Sequence, residues 1–281
     1  MKTVTIEELL TWAFVHELPK GGGVEGLDNA NSAWRMLEAS SWGKITSFAE
    51  LGTLIDSGTG NGNFFIEQGE PHDDAVTLGR AVARLGQCDV AIPGNWHALA
   101  DWPRTDDVTD GMADAAVKRA IDRYMLRTAH RRAAGIVSLV VGTAILGKEL
   151  DYQAEPSKIR MVERGGKPAW FVMRRINHED GQAYDIEVDG YNGRTHRPVK
   201  GAYRKYEFST DPTGDILGRL DYQTWVAALR RLEVEIAADL VAHRLVHSDR
   251  SMTPWLDRDM PGVAIVERTA ERPAKKTAVA C

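Results

Sequence analysis

The segment Ala133 to Gly147 contains no charged side chain and is rich in Ile, Val and Leu. A run of that kind must leave water, either in a bilayer or in a protein core. A membrane-spanning helix needs roughly 20 apolar residues, whereas this run ends after about 15. It is bounded directly by Arg131-Arg132 and by Lys148-Glu149. The segment is therefore expected to be a buried core helix against which the other elements pack, with no membrane involved. A chain of 281 residues, 43% hydrophobic and 27% charged, has ample material for such a core.

Around that helix the pattern changes character once. Before residue 156 it is helical. Thr5 is placed to cap a helix over residues 5–18, with Glu7 and Glu8 near its positive end and Ile6, Leu9, Leu10, Ala13 and Phe14 on one face. Gly21-Gly22-Gly23 stops it. Further helices are expected near 33–37, 48–55 and 74–85, with a flexible loop at 57–63 and an irregular, aromatic-packed connection over 86–108. Helix resumes at 109–128. After Pro156, β-branched and aromatic runs (158–163, 169–176, 183–189, 203–208) alternate with turn residues such as Gly165-Gly166-Lys167-Pro168. They suggest an antiparallel meander of three to four strands. Apolar residues at helical spacing over 215–247 follow, then a polar tail expected to be mobile. The fold class is thus α+β, organised as 1–108 (acidic, mainly helical), 109–256 (basic helix, meander, long helix) and 257–281 (tail).

Charge is divided as unevenly as structure. Residues 1–114 hold 7 Lys/Arg against 18 Asp/Glu, and the remainder holds 28 against 22. The reversal falls at Lys118 to Arg132, where Lys118, Arg119, Arg123, Arg127, Arg131 and Arg132 face a single acid, Asp122. Arg119, Arg123, Arg127 and Arg131 recur every four residues, so one helix would carry them in a row along one side. Val117, Ile121, Tyr124, Met125 and Thr128 would then turn to the core. Guanidinium forks match phosphate oxygens, which makes the row a candidate nucleic-acid contact. A solvated face, or a face neutralised by acidic protein, accounts for the same spacing. The aromatics Trp170, Phe171, Tyr184, Tyr191, Tyr203 and Tyr206 are interleaved with charge. They could stack on bases or pack against the C-terminal helix.

Asp239, His243 and His247 are also spaced by four and could share a metal if helical. The zinc signature, however, would place Glu after the first His, where Arg244 stands. The glycine-rich stretch at 57–63 lacks the closing Lys-Ser/Thr of a phosphate loop, and no nucleophile elbow is present. No catalytic constellation and no cofactor motif emerge. The two cysteines, Cys88 and Cys281, form no CxxC or zinc spacing, and the N-terminal residues lack a basic, then apolar, leader. A cytoplasmic setting is expected.

Five segments occur together in order: Ala144-Ile145-Leu146-Gly147 leading to Asp151-Tyr152; Gly166-Lys167-Pro168-Ala169-Trp170-Phe171; Tyr184 to Tyr191; Pro198 to Tyr203; and Trp225-Val226-Ala227-Ala228-Leu229. The arrangement, over about residues 5–256, resembles a family of uncharacterised proteins of alphaproteobacterial genomes, often encoded in phage-like regions. The resemblance implies nucleic-acid handling or particle assembly, and it brings no activity and no functional residues. Three functions follow as expectations. The first is a non-enzymatic, nucleic-acid-contacting protein using Lys118, Arg119, Arg123, Arg127, Arg131 and Arg132. The second is an assembly or regulatory module whose Arg row meets acidic protein. The third is a metal-dependent enzyme using His243 and His247.

Overall fold

A computed structural model of the chain describes residues 1–20, 70–103, 106–177, 183–258, 260 and 262–268. The helices expected near 33–37 and 48–55, the loop at 57–63 and the tail beyond 268 lie outside the described residues.

Strand β1 (Lys2–Val4) leads into helix α1 (Ile6–Thr11). Thr5 and Glu8 cap it reciprocally. The Thr5 hydroxyl accepts the Glu8 N–H at 3.2 Å, and the Glu8 carboxylate accepts the Thr5 N–H at 2.9 Å, so two otherwise orphaned groups are satisfied. The helical path continues through a wide turn, Trp12–Glu17, and a tight one, Leu18–Lys20. Helix α2 (Asp73–Leu85) turns Ala75, Leu78, Ala81, Val82 and Leu85 inward.

Helix α3 (Asp107–Met125) begins where the Asp106 carboxylate accepts the Thr109 N–H at 2.8 Å. It ends before the expected point, because Thr128 is extended and caps a new helix, α4 (Ala129–Leu146). Gly147, at φ +59°, closes α4 in the left-handed conformation that glycine adopts without Cβ strain. Helix α4 is the charge-free segment. Among the described residues it is the one helix long and apolar enough to cross a membrane. Ile136, Val137, Val140 and Val141 are instead buried in the common core, with α4 packed on α1, α2 and strand β2 (Cys88–Ala91). Each such side chain contributes about 1.5–3 kcal/mol when fully buried.

Residues 159–208 hold strands β3 (Ile159–Met161), β4 (Glu163–Arg164), β5 (Lys167–Pro168), β6 (Phe171–Asn177), β7 (Ala183–Asp189), β8 (Tyr191–Asn192), β9 (Arg197–Pro198) and β10 (Tyr206–Phe208). All pair antiparallel, two at a time: β3 with β10, β4 with β5, β6 with β7, β8 with β9. The first strand of this region thus joins the last, and a Phe171–Tyr203 bridge ties the β6–β7 hairpin to the chain entering β10. Gly190 permits this closure. A Cβ there would stand 2.9 Å from the Phe171 carbonyl carbon and oxygen.

Helix α5 (Thr213–Ile236) packs on α2, α3 and α4 and buries residues on nearly every side. The periodic pattern extends to 247, but the helix stops at Ile236. Beyond it, the buried Asp74 carboxylate accepts the N–H groups of Val241, Ala242 and His243 at 2.7, 3.0 and 3.0 Å. That clasp pulls the chain into strand β11 (His243–Leu245), which pairs parallel with β1. Residues expected in the mobile tail form β12 (Ala264–Glu267), antiparallel to β2.

Candidate nucleic-acid interface

The basic stretch does not lie on one helix. Lys118, Arg119 and Arg123 project from α3, Arg127 sits in the turn after it, and Arg131 and Arg132 occupy the first turn of α4. The inward face is Ala113, Ala116, Val117, Ala120 and Tyr124. Met125, expected inside, is 45% exposed, and Thr128 serves as a cap.

Arg132 is withdrawn from any external role. Its Nε and Nη2 donate to the two Asp89 oxygens at 2.8 and 2.6 Å, and Nη1 donates to the carbonyls of Met125 and Arg127. This fork fastens the α3–α4 turn to β2. The Arg132 hydrogen bonds hold the Asp89 carboxyl below its ordinary range. The other five cations differ. Lys118, Arg119, Arg123, Arg127 and Arg131 are exposed, and no carboxylate among the described residues lies within 4.0 Å of any of them. The Arg127 guanidinium rests 5.3 Å from the Tyr124 ring centroid.

Two acids modulate this surface from α5 and its approach. Asp211 accepts from the Thr213 hydroxyl and N–H at 2.8 and 3.1 Å. Those bonds, helped by the nearby charges of Arg119 and Arg123, hold it below the usual carboxylate range. Asp221 is half-buried, and burial raises it to about 6 against the opposing pull of Arg127.

Arg119 also lines a cleft of about 380 Å³ between α3 and β10. Met112 and Ala115 form its α3 side, and Tyr206, Phe208 and Pro212 face them. Phe208 is fixed edge-on against Trp102, ring centroids 5.8 Å apart, whereas Tyr206 is 43% exposed. The pairing of Arg119 with Tyr206 in one cleft depends on β10 joining β3, a contact distant in sequence. The aromatic-and-basic interleaving was its only signal in the chain.

No protein-family model, curated protein or solved structure matches this chain.

The proposed metal ligands are not brought together. Asp239 is exposed in the turn beyond α5, His243 lies on β11 and His247 on the loop after it. His243 Nδ1 meets the Asp74 carboxylate at 2.8 Å, and His247 Nδ1 meets Glu233 at 3.0 Å. Among the described residues no group of three or more His, Cys, Asp or Glu side chains is placed to hold a metal ion. The helical spacing on which that reading depended ends at Ile236.

Proposed function

We propose that the protein is a non-enzymatic, cytoplasmic nucleic-acid-binding protein whose Lys118, Arg119, Arg123, Arg127 and Arg131 hold phosphates. One observation carries this reading: five exposed cations within residues 118–131 have no carboxylate at ion-pair distance among the described residues. Clustered like charge repels itself, and a polyanion relieves that repulsion while releasing its own counterions. Arg131 adds to the argument. It stands at the positive end of α4, a helix with no acid in its first turn, where a cation is unfavourable and a phosphate favourable. The phage-like setting implied by the motif resemblance points the same way.

Four neutralised phosphates give a slope of log K against log salt of roughly −3.6 on duplex DNA, about a hundredfold weakening between about 50 and 200 mM salt. The double variant Arg119→Glu/Arg123→Glu should lose most of that salt-sensitive binding in a fluorescence-anisotropy titration. Its unfolding free energy should change by no more than about 0.5 kcal/mol, as expected of exposed positions. Absence of a salt-sensitive complex, or a double variant that binds normally, refutes the proposal.

A protein-docking role is the second reading, favoured by the β6–β7 hairpin. Its register places Val172, Arg174, Ile176, Tyr184, Ile186 and Val188 on one face, where Ile176, Tyr184 and Ile186 are 41%, 48% and 39% exposed. Light scattering that finds a strict monomer with no co-purifying partner argues against it.

A further inference from the structure

The phosphate row treats duplex and single strand alike, whereas the cleft beside it does not. Within a duplex the base faces are stacked on one another, and only backbone and groove edges are offered. An unpaired base presents a π-face, and single-strand binders meet it with an aromatic ring set beside backbone-tracking cations. The α3–β10 cleft has those two parts. Tyr206 is exposed on one wall and Arg119 on the other, with Arg123 one helical turn further along α3. Met112, Ala115, Phe208 and Pro212 supply apolar surface between them.

The two acids that line the cleft, Glu207 and Asp211, are each offset by cations. Glu207 is engaged by Arg160 at 2.9 Å. Asp211 remains anionic, hydrogen-bonded by Thr213, and its charge is met by the nearby Arg119 and Arg123. The backbone that carries the ring is fixed by strand pairing. Tyr206 pairs with Met161 in the β3–β10 register, and the neighbouring Phe208 is locked against Trp102.

We infer that the cleft takes an unpaired nucleobase on Tyr206, and that the nucleic acid recognised is single-stranded. The inference rests on the phosphate-binding reading above and adds the substrate class to it. The cation row tracks the backbone while the cleft selects strands whose bases are free.

The test uses the full chain with a fluorescein-labelled mixed-sequence DNA of about twelve nucleotides, and with the corresponding duplex. The single strand should bind more tightly at equal salt. Its slope should be roughly −2.8 for four phosphates, against roughly −3.6 for the duplex. Tyr206→Ala should weaken single-strand binding about tenfold, from the loss of one stacked base, and leave duplex binding and the salt slopes unchanged. Tyr206→Phe, which keeps the ring and the strand, should bind like the parent. Ala115→Leu, which narrows the cleft without altering charge, should reproduce the alanine effect. If Tyr206→Ala and Ala115→Leu leave single-strand affinity intact, or the duplex binds as tightly, the base-stacking inference is overturned while phosphate binding survives. If neither probe binds at low salt, both fall. Equal competition by polyglutamate with no effect of Tyr206→Ala would identify an acidic protein as the partner instead.

Discussion

The arginines of this protein form two populations that differ in how their charge is met. Arg219 on α5 is 1% exposed. Its Nη1 and Nη2 grip the Asp101 carboxylate at 2.6 and 2.8 Å, its Nε donates to the Tyr152 carbonyl at 2.9 Å, and Nη1 also reaches the Ala98 carbonyl. The Trp255 ring covers it, with the guanidinium carbon 4.6 Å from the centroid. Arg250 is similarly occupied, by Glu7 at 2.6 Å and Glu149 at 2.5 Å, over Trp225. Arg119, Arg123, Arg127 and Arg131 have no such carboxylate among the described residues. The fold pairs the arginines it uses for its own cohesion and leaves others exposed with no carboxylate at ion-pair distance among the described residues, those at 119–131 together with Arg80, Arg174, Arg175, Arg194, Arg197 and Arg244. That contrast, more than the number of basic residues, separates a structural guanidinium from one available to a ligand.

The contrast can be broken from either side. Arg219→Ala should cost the most, about 3–5 kcal/mol in urea unfolding, because it strands Asp101 and two carbonyls without their donor. A loss under 1 kcal/mol would mean that the interior fork is dispensable and the division into two populations is unsound. Asp74→Ala should follow, at on the order of 3 kcal/mol, since three N–H groups lose their acceptor. Burial alone would raise the Asp74 carboxyl, but the Val241, Ala242 and His243 bonds outweigh it and hold it low. With the folded value depressed, its stabilisation is present above the unfolded value of about 3.9 and lost as pH falls through the folded one. Parent and Asp74→Ala stabilities should therefore converge in acid.

Asp221 bears on the open population with the opposite sign. Its folded value, about 6, lies above the unfolded one, so it destabilises increasingly from about pH 4 to pH 6 and fully above that. Asp221→Asn should gain about 1 kcal/mol at pH 7, discounted for partial exposure, and nothing below pH 4. The smallest effect is the most discriminating. Arg131→Glu replaces a cation at the start of α4 by an anion, so it should add about 0.3–1 kcal/mol of stability while weakening nucleic-acid binding. A variant that lost stability and binding together would place Arg131 with the structural arginines.

Local chemistry was legible residue by residue. The capping pair Thr5–Glu8, the charge-free run of α4 and the α+β character all follow from side chains acting within a turn or two, where periodicity and capping are sufficient. Boundaries set by remote partners were not. The α5 pattern runs past Ile236, and what ends the helix is Asp74, far away in sequence. The regular spacing of four arginines hid a helix break, because Thr128 serves as well for a cap as for an interior position until the chain turns. The strand-like runs after Pro156 announced strands but not partners, since a strand's hydrogen bonds are satisfied by whichever edge the fold delivers.

The chain alone therefore determined where basic, acidic and apolar matter lies and the mixed α+β character, since those depend on intrinsic properties and short-range spacing. Residues 88–91, 243–245 and 264–267, by contrast, became strands only through pairing with remote segments. Tertiary structure decided which charges are consumed. Arg132 and Arg219 are spent on Asp89 and Asp101, while Arg119 lines the cleft with Tyr206. An ion pair is a matter of a few ångströms between residues from different elements, and distances of that kind exist only once the chain has folded.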